Sequence, residues 1–467
     1  MSKYLYGASV QGIQEFIFAT NELKTIVGAS EIVKNINSKI QEKYSKHIIV
    51  NAAGNVKLIF DESEKTILED LVLNFSKDIK QSAFGITLSQ AVIIFEDGGL
   101  QKAFEDLEKN LFIQRNKIEI PLDTSINILK LALKSGKPTI EAEKDKATIQ
   151  KEQEAKKDET SSGNIPKNKK NKTAIIHADG NGLGAMIASM NNNFTKDDEL
   201  VKAYQDFSKN LDTATQNAYK TAIVGINPKS IRKVILGGDD MTIICDANIA
   251  LDFTNKFLKE FEKETKNVMG GKGLTACAGI AYCNHKYPFH YAVNLAESLC
   301  SYSKKHSKEI NKDLAPSCLM FHNIQSSNFT DFSEYIQREL TLNKGNDRVF
   351  LNYGPYFINT QENYATVDNF KNLANALMVN ASPASRLREW LTILGQNANE
   401  AKERLLRINQ MMDLKEKMFN KKCLENNLLA FNPTMKLTEL TFHRENNTFT
   451  PIGDVDTHLS VVDWSNK

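Results

Sequence analysis

The chain has 467 residues, 41% hydrophobic and 25% charged, which is enough apolar content for more than one packed core. Acid and base nearly balance at a net charge of +2, which argues against a dedicated nucleic-acid coat, and no uncharged apolar run reaches the length of a membrane span. The six cysteines include no C-x-x-C pair, so a structural zinc module is not expected; an N-terminus without signal-peptide features reads as that of a cytoplasmic protein.

In chain order, YLYGASVQGIQEFIF is predicted as a strand, a Gly-containing turn and a helix, and HIIVNAAGNVKLIFD as a β-hairpin. GITLSQAVIIF follows as a strand and AFEDLEKNLFIQRNK as a helix. These elements define a first domain over 1–135. Residues 136–172 are nearly free of large apolar side chains, which predicts a mobile charged linker, helical in its first half. Its Lys-rich end, PKNKKNK, reads as a solvated spacer.

After the linker the same layout returns. TAIIHADGNGLGAMI is a strand, a polar Gly-rich turn and a helix start, and VILGGDDMTIICD is a hairpin. GLTACAGIAYC is a strand and AVNLAESLCSYSKK a helix. The repeated unit is strand, helix, hairpin, helix, strand, helix. Its core is the ferredoxin-like split βαβ arrangement, an antiparallel sheet with helices on one face. The second copy is assigned to 173–320. From 321 to 467, FSEYIQREL, FKNLANALMV and SRLREWLTILGQNANEAKERLLRINQMM show helical spacing, with GPYF and FTPIGDVD as loops. The expected class is α+β: two ferredoxin-like domains plus a mostly helical C-terminal domain.

Asp179 falls at the end of the first strand of the second copy, and Asp239 and Asp240 fall in its hairpin turn, after Gly237 and Gly238. In a split βαβ sheet these strands are neighbours, so the three carboxylates can meet at one sheet edge. Oxygen ligands of this kind suit Mg²⁺, and a pair of such ions can activate a hydroxyl and neutralise a leaving pyrophosphate. Gly180, Gly182 and Gly184 free the backbone where amides at a helix start can hold phosphate. Gly237 and Gly238 allow a tight turn. Alone, GGDD is a common polar hairpin turn; joined to Asp179-Gly-Asn, it reads as a nucleotidyl-transfer site. The first copy has Ser9 and Ala52-Ala53-Gly54-Asn55 at these places, so it is read as a copy kept for packing or for holding a second nucleotide. Gly28-Ala29-Ser30 is a candidate nucleotide turn, with Gly28 as a helix end the alternative. His177 shares the face of Asp179 by period-two alternation and reads as a packed strand histidine.

The ADGNGLG turn, the GGDD hairpin and the GLTACAGIAY strand with its Ser-Lys helix resemble the second palm domain of type III CRISPR effector large subunits, relatives of GGDEF-type cyclases. GASVQGIQEFIFATNELKTIVGAS resembles that family's first, degenerate palm, and SRLREW and TPIGD resemble its C-terminal helical region. The resemblance implies a synthase that turns ATP into a cyclic oligoadenylate or cyclic dinucleotide, an antiviral second messenger. It implies Asp179, Asp239 and Asp240 as catalytic ligands of two Mg²⁺ or Mn²⁺ ions, with the Gly180 carbonyl as a further ligand. It places Lys304, or its neighbour Lys305, on the triphosphate. Gly180, Gly182, Gly237 and Gly238 would border the nucleotide, and Asn181, standing where the family often has a second aspartate, would contact phosphate. The chain shows neither the family's HD nuclease domain nor its zinc module, so no nuclease activity is expected, and a stand-alone or differently partnered synthase fits better. Expected partners are nucleoside triphosphates and a protein complex or homodimer, with RNA as a further candidate and no membrane. The competing readings are a vestigial scaffold subunit of an RNA-guided complex and a guanylate-specific cyclase.

Overall fold

The computed structural model describes all residues except 1, 21, 53, 118–128, 134, 142, 157–163, 195, 269–272, 326–328, 330, 345–346, 380–381, 415–419, 434–435, 445–446 and 464–467. The first palm runs β1 (Ser2–Gln11), α1 (Ile13–Phe18), α2 (Leu23–Tyr44), β2 (Ile48–Ala52), β3 (Asn55–Asp61), α3 (Lys65–Ser82), β4 (Thr87–Glu96) and α4 (Leu100–Arg115). Its sheet order is β2-β3-β1-β4, with β1 antiparallel to both β3 and β4. After α5 (Lys146–Ala155), the second palm repeats the plan. It runs β5 (Lys172–Gly180), α6 (Leu183–Asn193), α7 (Asp197–Ala222), β6 (Ile231–Gly237), β7 (Asp240–Asp246), α8 (Ala247–Val268), β8 (Ala276–Asn284) and α9 (Phe289–Ile310). The equivalent strands again lie in the order β6-β7-β5-β8.

The period-two pattern of β5 decides which helices cover which side. Ala174, Ile176 and Ala178 face α7 and α8, joining Leu211, Ala218, Phe253 and Phe257 in one core. Ile175 belongs to the opposite face, where Leu295 and Leu299 of α9 meet Ile26 and Phe16 of the first palm. Helices therefore cover both faces of the sheet, not one face as the sequence suggested. Amphipathic helices bury their stripes against either side of a sheet equally well, so periodicity alone does not choose. The palms interlock reciprocally: Leu200 and Tyr204 of α7 complete the core beneath α4, with Phe104 and Leu107.

The described residues of 136–172 are packed against the fold, not the mobile spacer expected from composition. Asp145 caps α5 by accepting from the Thr148 amide at 3.1 Å. The helix lies against α2, and Lys151 is buried, donating to the Phe16 carbonyl with its ammonium 3.9 Å from the centre of the Phe16 ring. Further on, Asn168 donates to the Val461 carbonyl at 2.7 Å and to Asn248 at 3.0 Å. Residues 157–163 of this segment lie outside the described residues.

The docking of α5 depends on Gly28. A Cβ there would come 1.7 Å from the Lys151 carbonyl oxygen, and no flexible atom can yield. Gly28→Ala should therefore cost roughly 1–3 kcal/mol. The checks are a lower Tm and faster amide exchange along 146–155; unchanged exchange there would refute the contact.

β9 (Cys318–Asn323) runs parallel to β8 and extends the second sheet, so the expected boundary at 320 falls inside a strand. The C-terminal region is mostly helical, as predicted, but also holds a small sheet. Its elements are α10 (Phe332–Glu339), β10 (Thr341–Lys344), β11 (Asp347–Phe350), β12 (Tyr356–Phe357), α11 (Val367–Leu377), α12 (Ala384–Leu394), α13 (Ala398–Leu414), α14 (Lys421–Leu429), β13 (Phe442–Arg444), β14 (Asn447–Phe449) and α15 (Ile452–Val461). β12 pairs with β9 and ties this region to the palm, and Phe370 and Trp390 enter the core beneath β5. No described helix is long and apolar enough to cross a membrane.

Candidate active site

β5 and the β6–β7 hairpin bring the three acids together. Ala178 pairs with Met241 in the last rung of the β5–β7 ladder, so Asp179 and Asp240 stand opposite each other just beyond it. Gly237 pairs with Asp240, leaving Gly238 and Asp239 as a two-residue turn with Gly238 at φ +61°. Helix α7 holds this turn from behind: buried Thr215 donates to the Gly238 carbonyl at 2.5 Å. Gly180 makes room for the turn. A Cβ there would sit 2.8 Å from the Asp239 Cβ and 2.7 Å from Leu183 Cδ1.

The acids crowd one another in a partly buried place. Burial first, then the charges of Asp240 and Asp179, push Asp239 up to about 7. Burial and Asp179 push Asp240 up to about 6, with Lys304 opposing. Lys304 donates to Asp179 Oδ2 and to the Gly180 carbonyl at 2.9 Å. Burial would lower its pKa, but the Asp179 carboxylate outweighs this and the net shift is upward. Lys305 is exposed, so of the two candidate lysines Lys304 is the one at the site.

Two groups at this site were not assigned from sequence. His177, 7% exposed, offers a ring nitrogen that lies, with carboxylate oxygens of Asp179 and Asp240, in a cluster whose atoms are all within 4.8 Å of one another. Burial pulls its pKa down to about 4, so the ring is neutral near pH 7. Glu297 of α9 has a buried Oε1 without a hydrogen-bond partner among the described residues. Burial, then the charge of Asp240, pushes it up to about 7. The alternation of β5 carried a signal for His177. For Glu297 the signal was its place seven residues before Lys304, on the same helical face.

The residues present fit a divalent cation. An ammonium already bridges the Asp179 carboxylate and the Gly180 carbonyl, two of the ligands inferred by resemblance. The donor set of carboxylates and a carbonyl is that of a hard ion, and the mutual repulsion that raises Asp239 and Asp240 is what such an ion relieves.

Other expected residues fall elsewhere. Asn181 is 3% exposed and turned inward: its Nδ2 donates to Thr275 Oγ1 at 3.1 Å and to the Ala315 carbonyl at 3.3 Å. It fixes the strand end and is not placed to touch phosphate. Gly28 is neither a nucleotide turn nor a helix end, since it lies inside α2 against α5. Ser30 donates to the Val234 carbonyl across the palm interface and borders a cavity of about 540 Å³. Gly12, Lys34, Lys233, Gly237 and Asp240 also line it, so the cavity runs from the first palm to Asp240. Gly182, at φ +77°, precedes the first turn of α6.

The first palm keeps this geometry without the acids. Ser9 pairs with Asn55, and Arg115 donates to Ser9 Oγ at 3.0 Å. Arg115 is the sixteenth residue of α4, as Lys304 is of α9.

Residues 172–313 match the family described as Cas10/Cmr2, second palm domain. Among solved structures, the Csm1-Csm4 cassette in complex with cA4 is 12% identical with a TM-score of 0.52, the match covering 100% of this chain and 70% of that one. The same cassette in complex with AMPPNP is 13% identical, with coverages of 99% and 70% and a TM-score of 0.52. Csm1 in T.onnurineus is 14% identical, with coverages of 98% and 69% and a TM-score of 0.52. A Csm1-Csm4 subcomplex of the type III-A interference complex and an apo cassette are matched over 53% of their chains, about half their length, at TM-scores of 0.46 and 0.43. No curated protein matches. At these identities the likeness to the solved structures is one of fold.

Proposed function

We propose that the chain, whose residues 172–313 match the Cas10/Cmr2 second palm domain, is a type III CRISPR-like large subunit acting as a nucleotidyltransferase that converts ATP to cyclic oligoadenylate or a cyclic dinucleotide. The observation that carries this reading is the cavity between the palms, which ends on Asp240 and Gly237 and so joins nucleotide-sized space to one of the three acids. Solved cassettes of the same fold were crystallised in complex with AMPPNP, pppApA and cA4, which favours adenine nucleotides as substrates.

In the proposed reaction a ribose hydroxyl of one nucleotide attacks the α-phosphorus of another. One P–O bond forms, the bond to pyrophosphate breaks, and the hydroxyl proton is lost. Asp179, Asp239, Asp240 and the Gly180 carbonyl would hold Mg²⁺ or Mn²⁺, which supplies charge neutralisation and a more acidic hydroxyl. Lys304, which donates to Asp179, would shift to the triphosphate and add positive charge where the leaving group departs. Lys34 and Lys233 border the cavity and would steady the phosphates of the second nucleotide. The turn glycines keep side chains out of the reacting space, and most of the rate gain would come from alignment and preorganised charge.

The scaffold reading finds support in Arg386, Arg404 and Arg407, which surround a cavity of about 180 Å³ between α12 and α13. Arg404 is partly answered there by Glu389 at 3.4 Å. One experiment separates the two. Purified protein is incubated with each labelled nucleoside triphosphate and Mg²⁺ or Mn²⁺, alone and with lysate from infected cells, and the products are resolved. Pyrophosphate release with oligoadenylate formation is expected with ATP. Turnover of GTP alone would redirect the assignment to a guanylate cyclase, and no turnover under any condition would favour the scaffold.

A further inference from the structure

We propose that His177 is a direct ligand of one of the cations held by Asp179 and Asp240, so that this position favours Mn²⁺ over Mg²⁺. The inference rests on the cation-site reading above and adds a nitrogen donor to it. Three features of the fold carry it. His177 lies two residues before Asp179 on β5, so both side chains leave the same face of the sheet. Ligand atoms of His177, Asp179 and Asp240 lie within 4.8 Å of one another, a separation that a single ion can span. The third feature is the orientation of the ring. Nδ1 is 3.3 Å from Oγ1 of Thr242, which is fully buried, and Nε2 makes no hydrogen bond to a described residue.

That arrangement matches how proteins present imidazole to a metal. One ring nitrogen is held by a neighbouring polar group, and with Nδ1–H donating to the Thr242 hydroxyl, Nε2 keeps its lone pair for the ion. Thr242 takes the orienting role, because it pairs directly with His177 in the β5–β7 ladder. A purely structural histidine in a sheet interior has no need of a ring nitrogen beside two carboxylates. Imidazole nitrogen binds borderline transition ions well and adds little for Mg²⁺, which demands oxygen. The first palm, which lacks the acids, has Gly7 at the equivalent place, paired with Lys57 in its own ladder.

The test uses the full-length protein with Mn²⁺ as probe and reads the ion's surroundings directly. Electron spin echo modulation of bound Mn²⁺ should show a coordinated ¹⁴N in the wild type, converted to the ¹⁵N pattern when histidine is ¹⁵N-labelled. This arm needs no mutation, so it stands even where His177→Asn fails to fold. In His177→Asn the nitrogen signal should vanish and the Mn²⁺ dissociation constant rise roughly tenfold or more, with Mg²⁺ affinity changed by less than about threefold. All eight histidines are among the described residues, and His177 alone among them belongs to an acidic cluster of ion-binding size. Mn²⁺ that is released by Asp240→Asn but shows no histidine nitrogen would overturn the proposal and leave the carboxylate site standing. A nitrogen signal that persists in His177→Asn would overturn it as well. Mn²⁺ binding indifferent to both Asp179→Asn and Asp240→Asn would overturn the site reading on which it rests.

Discussion

Replacing Asp239 and Asp240 together by asparagine should cut product formation on the order of 10³-fold or more while making the cation-free fold more stable near neutral pH. The first effect is the loss of charge that binds the cations and stabilises the transition state. The second follows from the pKa shifts. In the folded chain Asp239 keeps its proton to about pH 7 and Asp240 to about pH 6, against an ordinary value of 3.8. Between those limits the folded state binds more protons than the unfolded state, so stability falls as pH rises through the window. Both groups are partly exposed, and the discounted cost between pH 4 and 8 is on the order of 2 kcal/mol. The wild-type Tm without divalent ions should therefore drop from pH 5 to pH 7.5, and the double variant should flatten that slope. A variant less stable than wild type at pH 7.5, or an unchanged slope, would contradict the crowding of acids described above. Loss of activity with gain of stability marks strain held at a functional site.

The second large effect is expected far from the acids, at Asp454. This residue, 4% exposed, accepts from the Tyr353 amide at 2.8 Å, the Gly354 amide at 3.0 Å and the Tyr356 hydroxyl at 2.7 Å. It thereby fastens α15 to the turn before β12, the strand that joins the C-terminal region to the palm sheet. Asp454→Ala strands two backbone amides and a phenol in a buried place, at about 1–3 kcal/mol each, for a total near 4 kcal/mol. Asp454→Asn keeps one acceptor and should lose about half as much. Urea midpoints should rank wild type, Asn and Ala in that order; an alanine variant as stable as wild type would remove Asp454 from this role.

The acidic site was legible because its signals are local. A two-residue turn between alternating strands states its own geometry, and GGDD sits in one. Asp179 could be joined to it because the repeated unit reads as a split βαβ, in which the first strand and the hairpin are neighbours. What sequence missed depends on tertiary contact. Lys151 looks solvated by composition, yet it is buried because Gly28 lets two helix backbones come close. Asn181 was expected on phosphate because it stands where the resembled family often has a second aspartate, but its amide turns to Thr275 and Ala315, partners ninety or more residues away in sequence. Glu297 reads as an ordinary helix-surface acid until α9 is laid against the sheet beside Asp240. The four short strands of the C-terminal sheet, β10-β11-β14-β13, are too brief to show alternation above the helical texture around them.

The most direct test of the account is crystallographic: crystals grown with Mn²⁺ and a non-hydrolysable ATP analogue, examined for anomalous scattering from the ion. A peak held by Asp179 and Asp240 is expected, with triphosphate density reaching into the cavity bordered by Ser30 and Lys233. Ions bound elsewhere, or a triphosphate seated away from the Gly237–Asp240 turn, would contradict it.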